Sequence, residues 1–125
     1  MPKFFLIFCL GLIALAGCQG GKSGAVQTVE NYYQALVERD DVRFASYTCA
    51  AWEESALLEY DSFAGVEIAL DGLSCQETGQ EGDATLVTCE GKIAATYGNE
   101  QMDFPLGDRL HRLVNEGGDW RVCGY

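Results

Sequence analysis

The sequence predicts an α+β domain in which N-terminal helices pack on one face of a curved, four-stranded antiparallel meander. Three observations lead there. Apolar residues recur every three or four positions from Ala25 to Tyr60, they alternate with polar ones from Val66 onward, and every helical stretch precedes every strand.

The first helix is expected from Ala25 to Arg39. Ala25, Val29, Tyr32, Tyr33, Leu36 and Val37 form its apolar stripe, with Gln27, Glu30, Gln34 and Glu38 between them. Asp40 and Asp41 can cap a second helix that carries Val42, Phe44, Ala45 and Tyr47 and runs up to Cys49. A third stretch, Ala51 to Tyr60, presents Trp52, Ala56, Leu57 and Tyr60, and Asp61-Ser62 ends it. The first strand holds Val66, Ile68 and Leu70, and a bulge at Asp71-Gly72 shifts its phase onto Leu73 and Cys75. Gln76 to Asp83 reads as a polar turn. Thr85 to Tyr97 alternates, with Val87, Cys89, Ile93, Ala95 and Tyr97 on the core face. A turn at Gly98 to Gln101 leads into a strand from Met102 to Asn115, another at Glu116 to Asp119 into Trp120 to Tyr125, and no further module is expected after that strand.

Ahead of the domain, Met1, Pro2 and one cation, Lys3, precede an uncharged apolar run from Phe4 to Ala16. The run is shorter than the ~20 residues of a spanning helix and ends in small residues, as the apolar region of a cleaved signal peptide does. Leu15-Ala16-Gly17-Cys18 resembles the bacterial lipobox, in which small residues admit the backbone to a protease groove and the cysteine thiol takes a diacylglyceryl group. The expected organisation is therefore a lipoprotein signal peptide over 1–17, the lipidated Cys18 with a Gly-rich tether over 18–24, and the α+β domain over 25–125. Acyl chains on Cys18 would anchor the protein stably to a membrane at ~0.8 kcal/mol per buried CH₂. The lipoprotein resemblance implies an extracytoplasmic location at the cell membrane or, since Gln19 rather than Asp follows Cys18, at an outer membrane.

Loss of Lys3 with the signal leaves seven basic residues against 19 acidic ones, a formal charge of 7 − 19 = −12. With no Lys/Arg cluster, the electrostatic footprint of a nucleic-acid-binding protein is missing. The acidity suits a tethered domain that stays soluble and stands off the bilayer. Four cysteines remain in the domain, Cys49, Cys75, Cys89 and Cys123, and an even count in a small exported domain points to two disulfides. Their gaps of 26, 14 and 34 positions lack the close pairs of a zinc site and the C-x-x-C of a redox site, so neither metal nor cofactor is expected. Cys75 and Cys89 are symmetric about Gly82, which would set them opposite one another in a hairpin, leaving Cys49 for Cys123. Two other pairings stay open, Cys49 with Cys89 foremost, since Cys89 faces the core.

The run Val29-Glu30-Asn31-Tyr32-Tyr33-Gln34-Ala35-Leu36, then Asp40, Cys49 and the terminal Gly118-Asp119-Trp120-Arg121-Val122-Cys123 carry a further resemblance. They resemble small exported members of the cystatin-like superfamily, in its nuclear-transport-factor-two-like or ketosteroid-isomerase-like group, and are similar to lumazine-binding-like domains of unknown function. The resemblance spans about Ala25 to Tyr125 and implies a cone of helices and curved sheet whose interior often holds a ligand, or acid/base residues in the isomerase and cyclase branches. Asp103, Glu67, Asp71 and Glu90 all fall on outward strand positions, so none is a candidate base. His111 is the lone histidine and the natural acid/base candidate, with its facing dependent on where Pro105-Leu106-Gly107 shifts the strand phase. Tyr33, Tyr47, Trp52, Tyr97 and His111 are the residues expected to line a pocket. The function expected is non-enzymatic: a lipid-anchored extracytoplasmic protein that binds a small ligand or an envelope protein. The alternatives are a small pocket enzyme of isomerase or cyclase type and a purely structural envelope lipoprotein.

Overall fold

A computed structural model describes residues 22–125. The helical layer begins with α1, Gly24–Glu38, capped by the Ser23 hydroxyl, which accepts from the Val26 amide. The tether as delimited by sequence, 18–24, therefore runs two residues too far, because Ser23 and Gly24 already belong to the first turn. Helix α1 buries Ala25, Val26, Val29, Tyr32, Tyr33 and Leu36 along one stripe. It stops at Arg39, which takes a left-handed conformation (φ 59°) and returns its amide to the Ala35 and Leu36 carbonyls. The Arg39 guanidinium lies 3.9 Å from the centre of the Tyr60 ring and donates to the Tyr60 carbonyl at 2.8 Å, tying α1 to the third helix.

Helix α2, Asp41–Ser46, is capped by Asp40 and is shorter than its sequence suggests. It ends before Tyr47 because the next residues form a parallel bridge to the last strand. Val122 donates to the Tyr47 carbonyl at 2.7 Å, and Cys49 donates to the Val122 carbonyl at 2.9 Å. Of the apolar residues expected on this helix, Phe44 is fully buried, whereas Val42 is 76% exposed. Helix α3, Ala50–Ser62, buries Ala56 and Tyr60.

The sheet is a curled antiparallel meander built from β1 (Glu67–Glu81), β2 (Ala84–Tyr97), β3 (Glu100–Pro105), β4 (Leu110–Glu116) and β5 (Asp119–Val122). β3 and β4 are one strand in two pieces. They lie end to end along the same side of β2, β3 against Lys92–Tyr97 and β4 against Thr85–Thr88, with Leu106 to Arg109 looping out between them. The stretch Gln76 to Glu81 is strand rather than turn, and the reversal is confined to Gly82-Asp83. The bulge at Asp71-Gly72 is present, opposite Gly91. The two chains come so close there that a Cβ on Gly91 would sit 2.6 Å from the Gly72 carbonyl, and Gly91 itself has φ +98°.

The core lies between α1 and the concave face of the sheet, where Tyr32, Tyr33, Leu36, Phe44, Val87, Ile93, Leu106, His111, Leu113 and Val122 are all fully buried. This is an α+β architecture of three helices on a half-closed antiparallel sheet, compatible with the cystatin-like cone.

Both disulfides join the pairs that hairpin symmetry favours, Cys75 with Cys89 and Cys49 with Cys123. Cys75 and Cys89 are direct cross-strand partners with Cα atoms 4.0 Å apart. The symmetry about Gly82 holds through two compensating features. The tight turn pairs Glu81 with Ala84, a register that would carry Cys75 to Glu90, and one extra residue between Glu77 and Gly79 returns it to Cys89. Cys49, the residue before α3, joins Cys123 just beyond β5, so this bridge fastens the helical layer to the sheet.

Candidate functional site

The interior of the cone is organised around His111. In β4, His111 and Leu113 face inward while Leu110 is exposed, because the Leu106 to Arg109 loop resets the strand phase. His111 has no exposed surface. Its Nδ1 lies 3.0 Å from the carbonyl of its cross-strand partner Val87. A carbonyl only accepts, so Nδ1 carries the proton and the neutral ring presents a lone pair at Nε2. The Tyr33 hydroxyl, 2.5 Å away, donates to that lone pair. Arg109 in turn donates to the Tyr33 oxygen at 3.2 Å and to Glu59 of α3 at 2.8 Å. The resulting chain runs Glu59, Arg109, Tyr33, His111, Val87 and links α3 and α1 to β4 and β2.

Electrostatics fixes the protonation states along it. Burial pushes His111 down to about 4, against the pull of the Val87 carbonyl and assisted by the Arg109 charge. Burial also holds Tyr33 above the ordinary phenol range, although Arg109 opposes the shift. Tyr32 is raised the same way, with Glu59 adding to burial. At neutral pH the histidine is uncharged, both tyrosines keep their protons, and Glu59 is engaged by Arg109. The arrangement can hold protons in fixed places, and its central imidazole is closed to solvent.

Tyr125 supplies the closure. Its ring stands 5.1 Å from that of His111 and 5.2 Å from that of Trp52, centre to centre, and Arg109 stacks 4.6 Å over it. Of the five residues expected to line a pocket, Tyr33 and His111 are in direct contact and Trp52 joins them through Tyr125. The Trp52 Nε1 is buried without a hydrogen-bond partner. Tyr47 lies elsewhere, half-buried in a cleft on the outside that it shares with Trp120 and Arg121. Tyr97 does not line the interior at all. It has the inward parity expected of it, but the end of β2 runs past the helices, leaving Tyr97 38% and its neighbour Met102 52% exposed.

Two members of the buried chain escape the sequence reading. Glu59 falls on the inner stripe of α3 with Ala56 and Tyr60, and an acid on an apolar stripe is the signal that finds it. Arg109 sits two positions before His111, the spacing of side chains that share a strand face.

Outside the cone, α3 presents a stripe of Ala50, Glu53, Glu54, Leu57, Leu58 and Asp61 that forms a shallow groove. Leu58 is 68% exposed, and Glu53, Glu54 and Asp61 line the same groove. Among the described residues, no group of three or more His, Cys, Asp or Glu side chains is placed to hold a metal ion. Cys18 and the signal segment lie outside the described residues. No protein-family model and no curated protein matches the chain.

Proposed function

We propose that this chain is a lipid-anchored extracytoplasmic protein that acts without catalysis, by presenting the outer face of α3 to another envelope protein. The observation that carries the reading is the filled cone: Tyr33 and His111 are completely buried, their polar atoms satisfy one another, and Tyr125 covers them. A binding function then falls to the surface. The α3 stripe has the composition of an interface, with Leu57 and Leu58 at its centre and Glu53, Glu54 and Asp61 around them. Its complement is a surface with apolar side chains flanked by Lys and Arg. Two disulfides support an oxidising location, and Leu15-Ala16-Gly17-Cys18 supports the anchor.

The isomerase- or cyclase-type reading draws on the same acid, phenol and imidazole. It requires substrate to reach a ring that has no exposed surface, and so ranks second.

A photo-crosslinking side chain at Leu58 of the full chain in cells tests the interface, with Tyr97 as the control position. The expected result is a discrete product at Leu58 that Glu53→Lys with Glu54→Lys abolishes. Equal products at the two positions, or indifference to charge reversal, would remove the α3 interface. The anchor is tested separately: Cys18→Ser is expected to accumulate as an unprocessed precursor without lipid, and lipid found on that variant would contradict it.

A further inference from the structure

We propose that the cleft between Tyr47 and Trp120 is a membrane-contact site that seats against the phospholipid headgroups beside the anchor. The inference rests on the lipid-anchored reading and adds how the domain is oriented.

The chain enters the domain at this cleft. Trp120 of β5 stands against the first turn of α1, so close that a Cβ on Gly24 would lie 2.6 Å from the Trp120 ring. Only four residues, Gln19 to Lys22, separate Cys18 from the Ser23 cap, which makes five Cα-to-Cα steps. Fully extended, they reach roughly 18 Å, less than the width of a small domain. The end of the domain that carries Trp120 is thereby confined to the neighbourhood of the bilayer surface.

The cleft has the chemistry of that surface. Tyr47 and Trp120 are half-buried aromatics with apolar bodies and polar tips, the residue types that concentrate at headgroup depth. The same cleft is lined by the exposed carboxylate of Asp119 and the guanidinium of Arg121, whose contacts to Glu116 and Asp119 are long at 3.6 and 3.9 Å. Arg121 donates to the Ser46 carbonyl, which holds it at the rim of the cleft. One cation and one anion flanking two aromatic rings match a zwitterionic headgroup, its phosphate facing Arg121 and its ammonium facing Asp119 and the rings. The strong acidity of the whole chain would hold the domain off an anionic bilayer, so the surface this cleft can approach is a zwitterionic one.

The opposite end of the sheet supplies an internal control. Trp120 pairs with Asn115, and Leu113 pairs with Thr85 near the start of β2. Tyr97 lies at the other end of β2, roughly 40 Å away along the strand at ~3.3 Å per residue.

The processed, lipidated protein carries two tryptophans, Trp52 and Trp120, so Trp52→Phe isolates Trp120 as a fluorescent reporter. In vesicles of phosphatidylethanolamine and phosphatidylcholine whose acyl chains are brominated near the glycerol, its emission is expected to shift to the blue and lose intensity. A second reporter, Tyr97→Trp in a Trp52→Phe, Trp120→Phe background, is expected to be unaffected. If Trp52→Phe fails to fold, fluorotryptophan in the unsubstituted protein compares Trp120 with Trp52 by NMR: the Trp120 signal should broaden with a paramagnetic lipid and the Trp52 signal should not. Co-flotation with vesicles, measured on the same samples, separates the two ideas. Flotation with an unquenched Trp120, or equal quenching of both reporters, overturns the contact site and leaves the anchor standing. Absence of flotation overturns both. Preference for anionic vesicles would overturn the assignment to a zwitterionic headgroup.

Discussion

Acidification should loosen this domain through one side chain. His111 is neutral in the folded state and pushed down to about 4, whereas an unfolded chain binds a proton near the ordinary histidine value of 6.5. Above 6.5 neither state is protonated and the buried ring contributes in full. As pH falls through 6.5, the unfolded state takes up a proton that the folded state refuses, so stability declines. The loss continues down to about 4, where the folded state protonates as well and the difference levels off. At 1.36 kcal/mol per pH unit the interval amounts to about 3 kcal/mol. Protonation would also turn Nε2 from an acceptor into a donor facing Tyr33, with the Arg109 cation beyond it and the Val87 carbonyl still on Nδ1. The assay is urea unfolding of the oxidised protein from pH 7.5 to 4, alongside His111→Leu. The many carboxylates titrate in both proteins, so their common contribution cancels in the difference. The wild-type advantage over His111→Leu should shrink steadily below pH 6.5. A difference that stays level across the range refutes the buried neutral imidazole.

The disulfides and the bulge between β1 and β2 can be perturbed in the same way. Removing Cys49–Cys123, which spans 74 residues, should cost about 4 kcal/mol, and removing Cys75–Cys89, which spans 14, about 3 kcal/mol. Thiol titration of the denatured, unreduced domain should find none of the four cysteines free, and the opposite order of destabilisation would argue against chain entropy as the main source of the stabilisation. Gly91→Ala should lower the urea midpoint by an amount equivalent to about 2 kcal/mol or more, since the methyl group meets the Gly72 and Asp71 carbonyls at 2.6 to 2.7 Å. Gly72→Ala, whose nearest neighbour is 4.0 Å away, carries only the conformational cost and should be milder; equal effects would mean that the close approach is unimportant.

What could be read without the structure depended on whether a residue's burial leaves a periodic trace. The inner stripe of α1 and the alternation of β2 do so, because each places one face on the core and the other in water. Gln76 to Glu81 leaves none. It extends beyond the core with every side chain exposed, and its pairing comes from the backbone alone, so its composition reads as a turn. The broken third strand is hidden for a related reason. Both halves alternate, and the break becomes visible only in how Leu106 and Arg109 leave the register of β2. At the site, Tyr33 was accessible from helical spacing and His111 from being the lone histidine. Their partnership was not, since 78 positions separate them and only the packing of α1 on β4 brings them together. Tyr97 shows the converse error: its parity was correct, but parity does not say where the covering layer ends.

The placement of β5 bears on how the chain can acquire its shape. This strand is the last of the described elements, yet it pairs with β4, bridges to Thr48, and sets Trp120 against the start of α1. Vectorial emergence, whether from a ribosome or through a translocation pore, therefore delivers the keystone after every stone it supports. Until those residues appear, the α2–α3 junction has no β partner and Cys49 lacks Cys123, the partner it has in the folded domain. A chain wired in this order cannot complete the packing of its helices on the sheet until β5 has been made.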